Sequence, residues 1–183
     1  MQPYRAVCFD FDYTLADATD SIVAGFQHGF TKMGWPAPDR ETVRGTIGYL
    51  LEDAYTMLTG DSAPARRAHC RPLVLEVANE RQLRATVLCP GAEELLRALH
   101  GHGVKTAIVS NKRGDTIQYI MERYHLLDQL EFVIGSEDVH APKPDPQGLN
   151  MALERMGLKS EELLFCGDTV LDAGAAKNAG CPF

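Results

Sequence analysis

The sequence has no CxxC pair, no HExxH and no basic run, and each absence removes a class of function. Its five cysteines, Cys8, Cys70, Cys89, Cys166 and Cys181, are scattered and odd in number. Neither a disulfide framework nor a zinc site is expected from them, and they read as reduced thiols. His100 and His102 stand two apart, which on a helix places them on different faces, so they do not form a metal-binding pair. Eighteen lysines and arginines stand against 25 acids, a formal net charge of −7. That balance works against non-specific attraction to nucleic acid or to an anionic membrane. The longest apolar runs fall far short of a membrane span, and the opening Met1–Arg5 stretch lacks the charged-then-apolar pattern of a signal segment. A cytoplasmic protein without nucleic-acid or membrane partners is expected.

What is present is an ordinary globular composition, 45% hydrophobic and 23% charged over 183 residues, enough for one full core and a small accessory lobe. From residue 86 onward, strand-like and helix-like stretches alternate, the pattern of a doubly wound parallel sheet. "PGAEELLRALHGHG" places Ala92, Leu95, Leu96 and Leu99 on one helical face and ends in glycines. "VKTAIVS" follows as a buried strand, then a helix around Thr116 to Tyr124 and the strand "FVIGS". A helix from about Pro146 to Met156, the strand "LLFCGD" and a helix from about Leu171 to Asn178 complete the series. Between the first strand and residue 86 the texture is helical. Ile22, Val23, Phe26, Phe30 and Met33 share one face, Pro36 and Pro38 break it, and Leu50, Leu51, Ala54, Tyr55 and Leu58 form another. A third helical stretch, Ala63 to Leu83, contains Pro72, which should kink or divide it. The expected organisation is therefore an α/β core of residues 1–15 and 86–183 with an inserted helical domain of residues 16–85.

The first strand poses the chemical question. In "AVCFDFDYTLAD" a buried strand, Ala6 to Phe9, ends in Asp10 and Asp12, which surface on the same side of the pleat. At about 4 Å and an effective dielectric near 20, two such charges repel by roughly 4 kcal/mol. Something must compensate. Three further stretches fall at the carboxyl ends of predicted strands: "SNK" at Ser110 to Lys112, "APKPDP" around Lys143, and "GDTVLD" from Gly167 to Asp172. In an open parallel sheet that edge is where ligands bind, so all four converge on one crevice. Asp10, Asp12, Asp168 and Asp172 would put four carboxylates there, a set of hard oxygen donors of the kind Mg²⁺ prefers. The alternative for Asp172 is a charge favourable to a helix N-terminus. Lys143, between two prolines, would neutralise acids and phosphate oxygens. Ser110 and the Asn111 N–H would bind a phosphate oxygen at the next helix start, or cap that helix. Lys112 and Arg113 read as solvated surface.

In this order and spacing the motifs resemble the haloacid dehalogenase (HAD) superfamily, and most of all its phosphoglycolate-phosphatase-like members with a helical cap after strand one. The resemblance covers essentially the whole chain and implies a HAD-like α/β fold, mostly parallel, with an inserted α-helical cap. It implies a nucleophile at Asp10, a general acid/base at Asp12, and Thr14 as the third position of the DxDxT motif. A metal would be held by Asp10, the main-chain carbonyl of Asp12 and Asp168, with Asp172 as a ligand or a support to the ligands. The implied activity is Mg²⁺-dependent hydrolysis of a small phosphate monoester, through an aspartyl-phosphate, by a monomer or homodimer. In the cap, Arg44 and Lys32 are candidate contacts to the non-reacting part of the substrate, the alternative being a solvated helix face. "RGTIGYLLED" resembles the family's cap loop, with Gly45 and Gly48 allowing close approach.

Two departures from the pattern stand out. Tyr13 occupies a position commonly held by glycine, and family members usually continue past the last motif with another strand and helix. If the chain is complete at Phe183, the strand Leu163 to Cys166 is expected at a bare sheet edge. Other readings stay open: a phosphomutase or phosphonate hydrolase of the same superfamily, a receiver-like phosphoacceptor module, and a catalytically impaired binding protein.

Overall fold

The computed structural model describes residues 4–183. Four parallel strands, β1 (Ala6–Phe9), β4 (Lys105–Val109), β5 (Phe132–Ile134) and β6 (Leu163–Cys166), form a sheet in the order β5-β4-β1-β6. β1 is central: its Phe9 is in register with Ile108 of β4 and with Cys166 of β6. The two-residue strands β2 (Ala16–Asp17) and β3 (Val87–Leu88) pair in a separate ribbon.

Every residue of β1 is buried, as a strand covered on both faces requires. The period-2 alternation sends Ala6 and Cys8 to one side, where they pack with Leu149, Ala152, Met156, Ala175 and Ala176 of α7 (Gln147–Met156) and α8 (Val170–Ala179). Val7 and Phe9 go to the other side. They meet Ala92, Leu96, Ile117, Ile120 and Met121 from α5 (Ala92–Gly101) and α6 (Gly114–Arg123). The sheet is thus doubly wound, and the chain switches from one side of β1 to the other between β5 and β6. That switch point is where an open α/β sheet offers a crevice at its carboxyl edge.

The contacts divide the chain into two compact units, one formed by the chain up to Asp17 with Leu88–Phe183, the other by Ala18–Val87. The second unit is helical: α1 (Thr19–Lys32), α2 (Arg40–Arg44), α3 (Leu51–Thr59) and α4 (Pro64–Ala85). Its core joins Val23, Phe26 and Phe30 of α1 to Ala54, Tyr55, Cys70, Val74 and Ala78. The α1 and α4 backbones approach so closely that a Cβ on Gly25 would lie 2.7 Å from the Val74 carbonyl oxygen. Glycine is required there for packing, not for its dihedral freedom. α2 is short and has no apolar periodicity, which is why it is absent from the sequence reading. The expected break at Pro72 does not occur, and α4 runs unbroken for 22 residues. Pro72 and Ala68, whose carbonyl loses its partner, both lie on the exposed side of the helix, where water replaces the missing hydrogen bond. The β6 edge is also less bare than expected, because Phe165 N–H donates to the Pro182 carbonyl at 2.9 Å. Among the described residues, no helix is long and apolar enough to cross a membrane.

Candidate active site

Asp10 follows β1 directly, and its main-chain N–H donates to the Cys166 carbonyl at 2.8 Å. The ladder between β1 and β6 thus extends one residue beyond the strands and holds the aspartate at the sheet edge. Its side chain is buried, and Lys143 Nζ lies 2.8 Å from Oδ1. That ammonium is what compensates Oδ1, an oxygen wholly shielded from solvent. Burial pushes the Asp10 carboxyl above its ordinary pKa, with Asp172 adding to the rise, while Lys143 and the Ser110 hydroxyl act against it.

Lys143 also pairs with Asp172 Oδ1. Burial alone would lower the pKa of its ammonium group, but the two carboxylates raise it instead, so it remains a cation in an apolar setting. The loop that carries it is fastened by Asn111, whose side chain accepts from Lys143 N–H at 2.9 Å and donates to the Lys143 carbonyl at 3.4 Å. Asp172 is fully buried and its second oxygen accepts from the Thr169 N–H and hydroxyl, while its own N–H donates back to Thr169 Oγ1. This reciprocal pair caps α8. Asp172 is therefore both a helix cap and a partner of the lysine. Only glycine fits at Gly167, since a Cβ there would come within 2.5 Å of the Asp172 side chain.

Asp168, in the turn after β6, completes the acidic group. Ligand atoms of Asp10, Asp168 and Asp172 all lie within 4.8 Å of one another. The Asp168 carboxyl is raised to about 6, first by burial and then by Asp10 and Asp172. Thr14 Oγ1 reaches Asp168 Oδ1 at 3.5 Å, the limit of a hydrogen bond. Ser110, at the end of β4, is buried and accepts from Lys112 N–H at 3.2 Å. Arg44 and Lys32 belong to the helical unit. Arg44 ends α2 and pairs with Glu41 at 3.6 Å, and Lys32 ends α1 in an exposed position.

Lys112 is the correction to the sequence reading. It is not solvated surface: Nζ contacts both Asp12 oxygens, at 3.2 and 3.1 Å, with side chains only 9% and 11% exposed. Arg113 is exposed and pairs with Asp115, as a surface arginine does. The repulsion between Asp10 and Asp12 is thus met by two ammonium groups on two different loops. The "SNK" stretch places the second of them at the sheet edge, but nothing in it tells that the side chain turns inward to Asp12.

The haloacid dehalogenase-like hydrolase family model matches residues 7–183. The chain belongs to that family. It is 32% identical over 203 residues to a phosphoglycolate phosphatase of Salmonella typhimurium, covering all of this chain and 81% of the relative. The corresponding Escherichia coli K12 protein, also named phosphoglycolate phosphatase, is 31% identical over 199 residues, covering 97% of this chain and 79% of its own. A Bacteroides fragilis crystal structure described as a haloacid dehalogenase-like hydrolase superposes with a TM-score of 0.93 at 33% identity, covering 97% of this chain and 85% of that one. This HAD-family chain is accordingly a hydrolase, and its acidic group at the sheet edge has the composition of a cation site.

Proposed function

We propose that the chain is a Mg²⁺-dependent phosphatase of a small organic phosphate monoester, phosphoglycolate or a close chemical relative, working through an aspartyl-phosphate. The observation that carries this reading is the gathering of Asp10, Asp168 and Asp172 at the carboxyl edge of the sheet, with ligand atoms within 4.8 Å of one another and the Lys143 ammonium 2.8 Å from Asp10. So many acids in one buried place are costly unless they have a use. A nucleophile with a cation site beside it is such a use.

The donor set fits a hard divalent cation. Asp10, Asp168 and the main-chain carbonyl of Asp12 would hold it, all through oxygen. Asp172, with its oxygens engaged by Lys143 and Thr169, keeps the lysine in place. When bound, the ion supplies positive charge to the clustered acids and to the phosphate oxygens.

The remaining chemistry is done by side chains of the chain. An Asp10 oxygen attacks phosphorus, the bond to the ester oxygen breaks, and protonated Asp12 gives its proton to the departing alkoxide, releasing the alcohol. Asp12, now a carboxylate, takes a proton from water as that water attacks the phosphorus. The bond to Asp10 then breaks, inorganic phosphate leaves, and both aspartates return to their starting states. Lys143 and Ser110 offset negative charge on the phosphoryl oxygens. The free thiols of the five cysteines and a small phosphorylated substrate suit a cytoplasmic setting.

The test is a screen of phosphomonoesters, phosphoglycolate and p-nitrophenyl phosphate among them, with Mg²⁺ and with chelator. Hydrolysis should require the metal, and Asp10→Asn should lower kcat by at least about 10³-fold, the scale seen when a nucleophile is removed. Metal-independent turnover, or turnover that survives Asp10→Asn, would refute the reading.

A further inference from the structure

We propose that Glu137 is a positioning residue for phosphate binding: from the loop after β5 it holds the turn that carries Ser110, and its carboxylate fills the start of α6, leaving the phosphoryl group to Ser110 and Lys143. The inference rests on the phosphatase reading above and adds to it a residue outside the four motif stretches of the site.

The first N–H groups of a helix have no partner within it, and a side chain at the N-cap usually supplies one. In α6 the N-cap is Arg113, whose side chain supplies none and pairs with Asp115 instead. The acceptor comes from another loop. Glu137 Oε2 accepts from Gly114 N–H at 2.9 Å and Oε1 from Asp115 N–H at 3.2 Å, so a carboxylate sits where the helix dipole favours an anion. Gly135 permits the approach: a Cβ there would lie 2.1 Å from Gly114 N and 2.7 Å from Glu137 Oε2. The loop is also closed on itself, since the Asp138 side chain accepts from Gly135 N–H at 2.8 Å and Asp138 N–H donates to the Gly135 carbonyl at 3.1 Å. Glu137 is thus carried on a tight turn.

The same loop grips the turn before α6 at its other end. Ser136 N–H donates to the Lys112 carbonyl at 3.0 Å, and Ser110 N–H donates to the Ile134 carbonyl at 3.0 Å. Between these fixed points Lys112 N–H donates to Ser110 Oγ at 3.2 Å, which occupies one lone pair of that oxygen and limits the directions in which the hydroxyl can donate. The conformation of the turn therefore decides the aim of Ser110. The turn carries a second load as well, for the Lys112 ammonium lies 5.9 Å from the centroid of the buried Phe11 ring on its way to Asp12. With Glu137 removed, the first turn of α6 loses both acceptors, and the grip on the turn is halved. A hydroxyl that binds the phosphoryl group acts on bound ester and bound product alike, so the loss should fall on binding and not on turnover.

The experiment measures kcat and KM for p-nitrophenyl phosphate, and the inhibition constant of inorganic phosphate, in the Mg²⁺-loaded wild type, Glu137→Ala, Glu137→Gln and Ile120→Val, with a urea midpoint for each. Ile120→Val loosens the same helix from its buried face and is the control for lost stability. Glu137→Ala should raise KM and the inhibition constant together by about tenfold, less than the 10²-fold that a misplacement of about 1 Å can cost, with kcat changed by less than about twofold. Glu137→Gln, which keeps one acceptor oxygen, should raise both by about threefold, and it reports the same point should the alanine variant fail to fold. Ile120→Val should lower the midpoint and leave all three constants within about twofold. Tighter phosphate binding in the two Glu137 variants would mean that the carboxylate acts only as a charge, and a loss matched by Ile120→Val would mean that it acts only on stability. Either result, or unchanged constants, overturns the role of Glu137 and leaves the phosphatase reading standing. A wild-type protein that hydrolyses no phosphomonoester would remove both.

Discussion

In the α/β unit, Lys143 sits between Asp10 and Asp172 with side chains 5%, 3% and 0% exposed. In the helical unit Arg40 pairs with Asp20 at 50% and 86% exposure. The same chemistry, a cation against a carboxylate, has opposite consequences in the two places. An exposed pair is worth about 0–1 kcal/mol. A buried one has lost its hydration, and a well-packed apolar group in its place is often no less stable. Stability therefore explains the first arrangement poorly, and function explains it well.

The comparison can be broken most directly at Lys143. Lys143→Met leaves Asp10 and Asp172 buried without their cation, and the cost expected from urea unfolding is about 3–5 kcal/mol, the range for removing one partner of a buried pair. A loss below about 1 kcal/mol would mean that the site is wetter than its burial implies.

A smaller effect should come from pH. The Asp168 carboxyl is raised from 3.8 to about 6 in the folded protein, and burial raises that of Asp10 as well. The folded state thus holds these protons more tightly than the unfolded chain. The Asp168 contribution is fully present below about pH 3.8 and lost as pH rises through about 6. Chelator-treated protein should show a higher thermal midpoint at pH 5 than at pH 7, and Asp168→Asn should flatten the difference. Added Mg²⁺ should restore the midpoint at pH 7, because a cation that binds only the folded state stabilises it. An unchanged midpoint on adding the metal would count against a cation site among these acids.

The smallest effect belongs to the surface. Arg40→Ala should shift stability by less than about 1 kcal/mol, measured by the same urea series. A larger loss would erase the contrast between the two units.

Much of this arrangement is legible in the residues themselves. The alternation after residue 86 gives the strands and helices of the α/β unit because the sheet is covered on both faces, and such strands must be continuously apolar. The four motif stretches are legible for a related reason: a parallel sheet gathers the ends of its strands at one edge. What escapes is contact across sequence distance. Lys112 and Asp12 are 100 positions apart, and nothing local distinguishes a lysine folded over a buried ring from one in water. The Asn111 side chain is similar, since its partner is the main chain of a residue 32 positions away. Pro72 shows the converse, a strong local signal overruled because the exposed side of α4 tolerates it. Tyr13 lies between these cases. Its φ of +60° is left-handed, the conformation glycine adopts at no steric cost, which gives a physical reason for glycine to be common there. The tyrosine carries the strain instead.

The grip of Asn111 on Lys143 has a practical consequence for anyone who would rebuild this protein. One amide imitates a strand's hydrogen bonding, clasping both the N–H and the C=O of a single residue in a foreign loop. The segments after β4 and after β5 are thereby mechanically one part, and a chimera that grafts either from another protein must carry its mate along or lose the aim of the lysine.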